Sequence, residues 1–206
     1  MEKRIYNPKE VISFRKTTEA YGGLSNMASG YGLYINDVII PSSEHLYQAM
    51  RYPLLPEIQH EIISQDNAMK AKTVSNKFKD KYSRQDWDKV KFKVMRWVLE
   101  VKLAQNWEKF SQLLLSTGDK PIVEYTKEDK IWGACAVNGN LEGVNALGRL
   151  LMAIRHEYVI PNNRVYCVEP VNMPAFLLYN NPIGIVCDTH LLEEITCSET
   201  WEDMVL

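Results

Sequence analysis

The sequence is most informative first in what it does not contain. No apolar run approaches the ~18 residues of a membrane-spanning helix. The first ten residues are polar and charged, unlike a secretory leader. Cysteine is scarce: Cys135, Cys167, Cys187 and Cys197 are widely spaced and form no C-x-x-C. That spacing argues against a zinc ribbon or a dense disulfide framework and favours reduced thiols in a cytoplasmic setting. There is no G-x-x-x-x-G-K-[ST], no H-E-x-x-H and no G-x-S-x-G, and Gly22-Gly23 does not complete a G-x-G-x-x-G. His45, His60, His156 and His190 are scattered without metal-ligand spacing. A metalloenzyme and a P-loop nucleotidase are therefore disfavoured, no cofactor is expected, and chemistry falls to acids, lysines and aromatics.

What is present is ordinary globular material. The chain has 206 residues, 46% hydrophobic and 24% charged, enough for one domain with elaborations or two small ones. Net charge is −2 but unevenly spread. Residues 67–96 carry ten Lys/Arg against three acids, and residues 157–206 carry one Arg against eight acids. A basic middle beside an acidic tail permits a polyanionic substrate, although solvated helix faces give the same pattern.

Hydrophobic periodicity predicts mostly helices. Residues 31–35 and 38–40 are β-rich around Asn36-Asp37 and predict a hairpin. Ser42 or Ser43 starts a helix from Glu44 to about Tyr52, and Pro56 opens another that runs through Ser64. Further helices are expected over 67–79, 85–106 and 107–116, then a short strand at 122–125, a loop over 133–143 and a helix over 145–158. The start of that last helix, after a glycine-rich turn, offers free N–H groups to an anion. After Pro161 the pattern turns to short strands at 165–168, 175–179 and 184–187. The fold class is α+β, with a mainly helical body over 1–160 and a small β-rich extension over 161–206 packed on it.

Four constellations carry chemistry. Glu44, Gln48 and Arg51 share one helix face. In the helix from Asp86, Lys91 and Lys102 fall between two apolar stripes, whereas Lys89, Lys93 and Arg96 lie on the solvated face. A lysine so placed either snorkels or sits near a polar pocket, where desolvation frees a nucleophilic amine. Glu124 through Gly133 puts acids beside Trp132, a platform for a nucleobase-like ring. The fourth constellation is the run from Gly143 to Arg149, with Asn145 at a helix start and Gly148 open to close backbone approach. The small-residue loop 22–27 resembles it in offering backbone donors.

The order of these motifs is more specific than any one of them. Gly23-Leu24-Ser25-Asn26-Met27, Ser43-Glu44-His45-Leu46-Tyr47-Gln48-Ala49, Asp86-Trp87, Lys91, Met95, Lys102 and Gln105-Asn106 come first. Thr117-Gly118-Asp119, Ile122-Val123-Glu124, Asp129-x-x-Trp132-Gly133 and Gly143-x-Asn145-x-Leu147-Gly148-x-x-Leu151-Met152-x-x-Arg155 follow. Together they resemble the NADAR (YbiA-like) family over residues 21–155. The resemblance implies N-glycosidase chemistry on ribosylated amines, by way of a Schiff base. One branch cleaves ribosylamino-pyrimidine phosphates of riboflavin biosynthesis. Another removes ADP-ribose from guanine bases in DNA and pairs functionally with a DNA ADP-ribosyltransferase toxin. The chain length, the Pro53–Pro56 segment with Gln59, and a tail similar to that of toxin-linked members favour the second. No membrane or metal partner is expected.

On this reading Glu44 is the acid/base, Lys91 the nucleophile with Lys72 its close alternative, and Asp129 a partner of the ribose hydroxyls or of proton transfer. Trp132 stacks the base or adenine. Gly23, Ser25, Asn26, Gln48, Lys72, Trp87, Gly133, Asn145 and Arg149 complete the expected substrate-binding set. Direct attack by water with Glu44 as base, and a reader of ADP-ribose that does not turn it over, are the alternatives.

Overall fold

The longest amphipathic stretch of the chain becomes the axis of the molecule. The computed structural model describes residues 2–188. In chain order the elements are β1 (Arg4–Tyr6), β2 (Ile12–Phe14), β3 (Leu33–Ile35), β4 (Val38–Ile40), α1 (Ser43–Ala49), α2 (Pro56–Ile63), α3 (Ala68–Tyr82), α4 (Trp87–Gln105) and α5 (Trp107–Leu115). They continue as β5 (Ile122–Glu124), β6 (Cys135–Val137), β7 (Asn140–Gly143), α6 (Ala146–Ile154), β8 (Cys167–Val168), β9 (Leu177–Leu178), β10 (Asn181–Pro182) and β11 (Val186–Cys187). Short strands in separate small sheets surround a helical body, an α+β arrangement.

α4 is buried along both apolar stripes, with Val94, Val98, Leu99, Val101 and Leu103 all sealed from solvent. It packs against α1, α5, α6, β3, β8 and β11, which explains why its apolar residues cover more than one face. Asn106, with φ −132°, ends α4 and starts α5. α2 opens on Pro56, whose missing N–H is harmless in a first turn. α3 opens on Asn67, whose side chain accepts from the Lys70 N–H at 2.9 Å. The β3–β4 hairpin turns through Asn36 and Asp37, both at positive φ (50° and 62°), as a tight two-residue turn requires.

Three regions differ from the sequence reading. The stretch expected as a loop over 133–143 is a hairpin, β6–β7, whose turn is Asn138-Gly139 at φ 49° and 81°. β1 adds to its other edge. β2 pairs in parallel with β5; neither N-terminal strand was expected. The helix expected over 145–158 ends at Ile154 and continues as a wider turn, 155–159, of π type.

After Pro161 two ladders form, β8–β11 and β9–β10. Cys167 and Cys187 face each other across the first and are joined by a disulfide, unlike the reduced thiols expected from their spacing. Cys135 is buried and free, and Cys197 lies outside the described residues. Gln59 fastens this segment: its side chain donates to the Ala49 and Leu177 carbonyls and accepts from the Tyr179 N–H. Arg84 donates to the Pro174 and Ala175 carbonyls. The carbonyls of Pro174, Ala175 and Leu177 and the N–H of Tyr179 thus find partners on the helical body.

Candidate active site

The 25–27 loop, α1 with Arg51 beyond it, α3 and residues 124–132 converge on a cavity of about 700 Å³, to which α4 adds Met95 and α6 adds Leu147. α1 is short, and all seven of its residues are buried. Its first turn carries Glu44, only 6% exposed, whose backbone N–H donates to the Asn26 carbonyl at 3.0 Å. Gln48, one turn on, donates to Glu44 Oε1 at 2.8 Å and accepts from Ser75 Oγ at 2.6 Å. The Tyr52 hydroxyl donates to the Ser75 carbonyl at 2.6 Å. A relay of polar groups inside the core therefore fixes the orientation of the Glu44 carboxylate. Burial holds its pKa above the usual carboxylate range, while Lys72, Gln48 and Arg51 pull the other way.

Glu124, at the end of β5, lines the same cavity. Burial pushes its pKa up to about 7, and the charges of Glu44 and Asp129 add to the rise. Two carboxyl groups in one partly dry cavity cannot both ionise cheaply, so one holds a proton while the other is ionised. Lys72, on the cavity side of α3, lowers the pKa of both. Among the described residues its amine has no hydrogen bond or ion pair. Arg51 lies with its guanidinium 4.9 Å from the Trp87 ring centre, and its Nε is buried without a partner. Two cations therefore border the cavity with no ion pair among the described residues.

The aromatic wall is Trp132 with Tyr47, edge to face at 5.5 Å between centroids, backed by Phe92 at 5.2 Å. Asp129 shapes it: its Oδ1 accepts from the Ile131 and Trp132 N–H groups at 2.9 and 2.8 Å. Across the cavity Asn26 is 5% exposed; its amide nitrogen reaches only the Met95 sulfur, and its Oδ1 is buried without a partner. A carboxamide left so incomplete is suited to a sugar hydroxyl. Tyr47, Arg51 and Trp132 also border a second groove of about 360 Å³, lined besides by Lys79, Arg84 and Lys91 and by Asp80 and Asp88.

Of the expected site residues, Glu44, Asp129, Ser25, Asn26, Gln48, Lys72 and Trp132 line the main cavity. Others do not. Lys91 lines the neighbouring groove and is ion-paired with Asp88 at 2.6 Å. Trp87 is there too, packed on Tyr47 and Arg51. Gly23 belongs to the rim loop without lining the cavity. Gly133 serves packing: a Cβ there would collide with the Glu124 carbonyl.

Asn145 is fully buried at φ 51°, donating to the Ile122 carbonyl and accepting from the Glu124 N–H at 2.8 and 3.1 Å. Arg149 reaches the Glu2 carbonyl at 3.3 Å. The start of α6 offers an anion no ring of free donors: the N–H groups of Asn145, Ala146 and Leu147 bond to the Gly133, Ile131 and Trp132 carbonyls. The anion site expected there is corrected accordingly. Residues the sequence reading left out of the site are Glu124 and Arg51, although Arg51 shared the helical phase of Glu44. Among the described residues no group of His, Cys, Asp and Glu side chains could hold a metal ion.

Comparison with known proteins shows the family of the chain. Residues 13–158 match the NADAR domain. The chain is 33% identical over 150 residues to the N-glycosidase YbiA of Escherichia coli strain K12, covering 73% of this chain and 89% of YbiA. It is 30% identical over 169 residues to the riboflavin biosynthesis protein VVA0006 of Vibrio vulnificus strain YJ016, covering 81% of this chain but 44% of that protein. The NMR structure of E. coli YbiA superposes with a TM-score of 0.63 at 31% identity, over 77% of this chain and 89% of YbiA. The chain belongs to the NADAR family.

Proposed function

We propose that this NADAR-family chain is an N-glycosidase that cleaves ribose from an exocyclic amine, and that its substrate is ADP-ribose on guanine bases of DNA. The observation that carries the chemistry is the meeting of Glu44, Glu124 and the unpaired Lys72 beside the Trp132–Tyr47 wall. The larger substrate is supported by the volume of the cavity and by the groove that shares Arg51 with it, where Lys79, Arg84 and Lys91 outnumber Asp80 and Asp88. Such an enzyme would act in the cytoplasm beside a DNA ADP-ribosyltransferase whose product it reverses.

Glu124, protonated near neutrality, gives its proton to the ribose ring oxygen, and the ring opens to an iminium that holds the guanine nitrogen. Lys72 passes a proton to Glu44 and attacks C1″ of that iminium. Glu44 returns that proton to the guanine nitrogen and takes one from the attached lysine nitrogen as the C1″–N bond breaks, so a protonated lysine imine remains. Water hydrolyses the imine, releasing ADP-ribose and restoring protonated Lys72, and the proton left on Glu44 returns to Glu124. Lys72 takes the role in preference to Lys91 because it shares a cavity with both carboxyl groups, whereas Lys91 is paired with Asp88 outside it.

The relative named for riboflavin biosynthesis favours a second reading, a ribosylamino-pyrimidine phosphate as substrate. Release of ADP-ribose from ADP-ribosylated single-stranded DNA, measured beside hydrolysis of that smaller compound, decides between them. Tight binding without release would reject catalysis and leave a reader of ADP-ribose. Borohydride added during turnover is expected to trap an adduct on Lys72. An adduct on Lys91 would move the nucleophile, and no adduct with an active Lys72→Arg protein would favour direct attack by water.

A further inference from the structure

Lys102 is the lysine that the cavity chemistry leaves unused. It lies near the end of α4, is 1% exposed, and does not line the cavity. Its amine donates to the Gly23 carbonyl at 2.6 Å and to the Ser25 carbonyl at 3.2 Å. It also lies 4.3 Å from the Tyr31 ring centre and 4.2 Å from that of Phe110. An ammonium has three protons and no acceptor; two carbonyls and two ring faces are what it can use without water. A snorkelling lysine would instead carry its head to solvent.

The bound loop leads to the site. Gly23 is held so closely that a Cβ would collide with the Tyr31 hydroxyl. Two residues on, Ser25 and Asn26 line the cavity. The Asn26 carbonyl receives the Glu44 N–H, so the loop also anchors the first turn of α1. We propose that Lys102 is a positioning residue: its buried amine clamps the 22–27 loop and thereby sets both the Asn26 carboxamide and the Glu44 backbone at the cavity. The proposal concerns the site assigned above, but the clamp stands whichever N-glycoside that site takes.

The amine is also poised to report on itself. Burial pushes its pKa down to about 7, and the charge of Lys109 on α5 adds to the depression. The other titratable group facing it is the Tyr31 phenol, which burial raises. Lys109 in turn lies over Tyr31 and donates to the Gly30 carbonyl.

The test uses ligand-free protein first. In Lys102→Met, hydrogen exchange of the amides of residues 22–27 is expected to accelerate about tenfold or more, the loss appropriate to hydrogen bonds from a charged donor. Exchange in α5 and α6 should stay as in the parent. Lys102→Arg, which keeps charge and donors, should recover part of the protection. In the parent protein the amide shifts of residues 22–27 should follow the Lys102 amine titration, with the same midpoint. With an N-glycoside as substrate, Lys102→Met should raise KM by a larger factor than it lowers kcat. Unchanged loop exchange in a folded Lys102→Met protein would overturn the proposal. If that variant does not fold, loop shifts in the parent that ignore the amine titration would overturn it equally. An intact loop result with no hydrolysis of any N-glycoside would reject the proposed reaction alone.

Discussion

α1 and α6 begin alike in sequence, each with a small polar residue before an apolar stripe, yet their starts do opposite work. At α1, Glu44 is buried among groups that satisfy it only in part: Gln48 gives one hydrogen bond, and Lys72 and Arg51 act through their charges. At α6, Asn145 is buried among groups that satisfy it fully, bridging the backbone of β5 at Ile122 and Glu124. Gly148 lets the same strand lie against the helix, since a Cβ there would strike the Ile122 carbonyl. A buried polar residue with all its bonds made is a structural joint, and one left with capacity is available to a ligand. α6 and β5 hold Glu124 in place, and α1 brings Glu44 to meet it.

The largest effect that would break this contrast is catalytic. Glu44→Gln keeps the shape and the bond to Gln48 but cannot exchange a proton. Its single-turnover rate is expected to fall by ~10²–10⁴-fold with affinity for the product little changed. Lys72→Arg keeps a positive charge that stays protonated, so it should lose turnover and trapping together. A folded Glu44→Gln protein with near-normal release would remove α1 from the chemistry.

At α6 the loss should be one of stability. Asn145→Ala leaves the Ile122 carbonyl and the Glu124 N–H unpaired in a fully buried place, which costs about 1–3 kcal/mol. Chemical denaturation would measure it. The residual activity of the folded fraction should stay close to that of the parent. A stable Asn145→Ala protein that had lost substrate affinity would make the two helix starts alike after all.

Between the two lies Glu124, held by α6 and facing α1. Its pKa in the folded protein, about 7, is above the 4.5 of an exposed glutamate. A raised value means that the fold binds the proton more tightly than the unfolded chain does. The stabilising contribution is complete below about pH 4.5 and is lost as pH rises through about 7. Glu124→Gln should remove that dependence, so the melting temperature of the variant relative to the parent should climb from pH 4.5 to pH 7 and level off above. It should also remove a fall in kcat with a midpoint near 7. A constant difference in melting temperature across that range would show that Glu124 titrates normally.

Much of this architecture was legible in the residues. Most helices were, because their apolar residues recur at the helical period and that period survives folding. The β3–β4 hairpin was, because Asn36-Asp37 tolerates positive φ. The β6–β7 hairpin carried the same kind of signal in Asn138-Gly139, but the nearby glycines made the stretch read as a loop. β1 and β2 span three residues each and find their partners more than a hundred residues away, so no local pattern announces them. In the site, Glu44, Asp129 and Trp132 were legible through their motifs. Helical phase placed Lys91 and Lys102 in one sector of α4 without saying which end is covered: Tyr31, Phe110 and the 22–27 loop close over Lys102, whereas Lys91 reaches Asp88 near the surface. Glu124 reads as the end of a strand, and only the approach of α1 and α3 turns it into a buried acid.

The smallest expected effect sharpens the contrast at α6 itself. Arg149 lies one turn beyond Asn145 and three residues before Met152, on a helix whose first N–H groups are already taken by backbone carbonyls. Its own guanidinium is partly exposed and makes one hydrogen bond, to the Glu2 carbonyl at 3.3 Å, and it does not line the cavity. A single long bond near the surface, from Arg149 to the Glu2 carbonyl, is weak because water replaces it readily. Arg149→Ala should therefore change stability by no more than about 0.5 kcal/mol. If α6 only supports the site, KM for the N-glycoside should stay within about twofold of the parent, since removing a contact outside the cavity takes nothing from bound substrate. A rise of tenfold or more in KM with unchanged stability would mean that substrate reaches Arg149, past Leu147, through which α6 already borders the cavity.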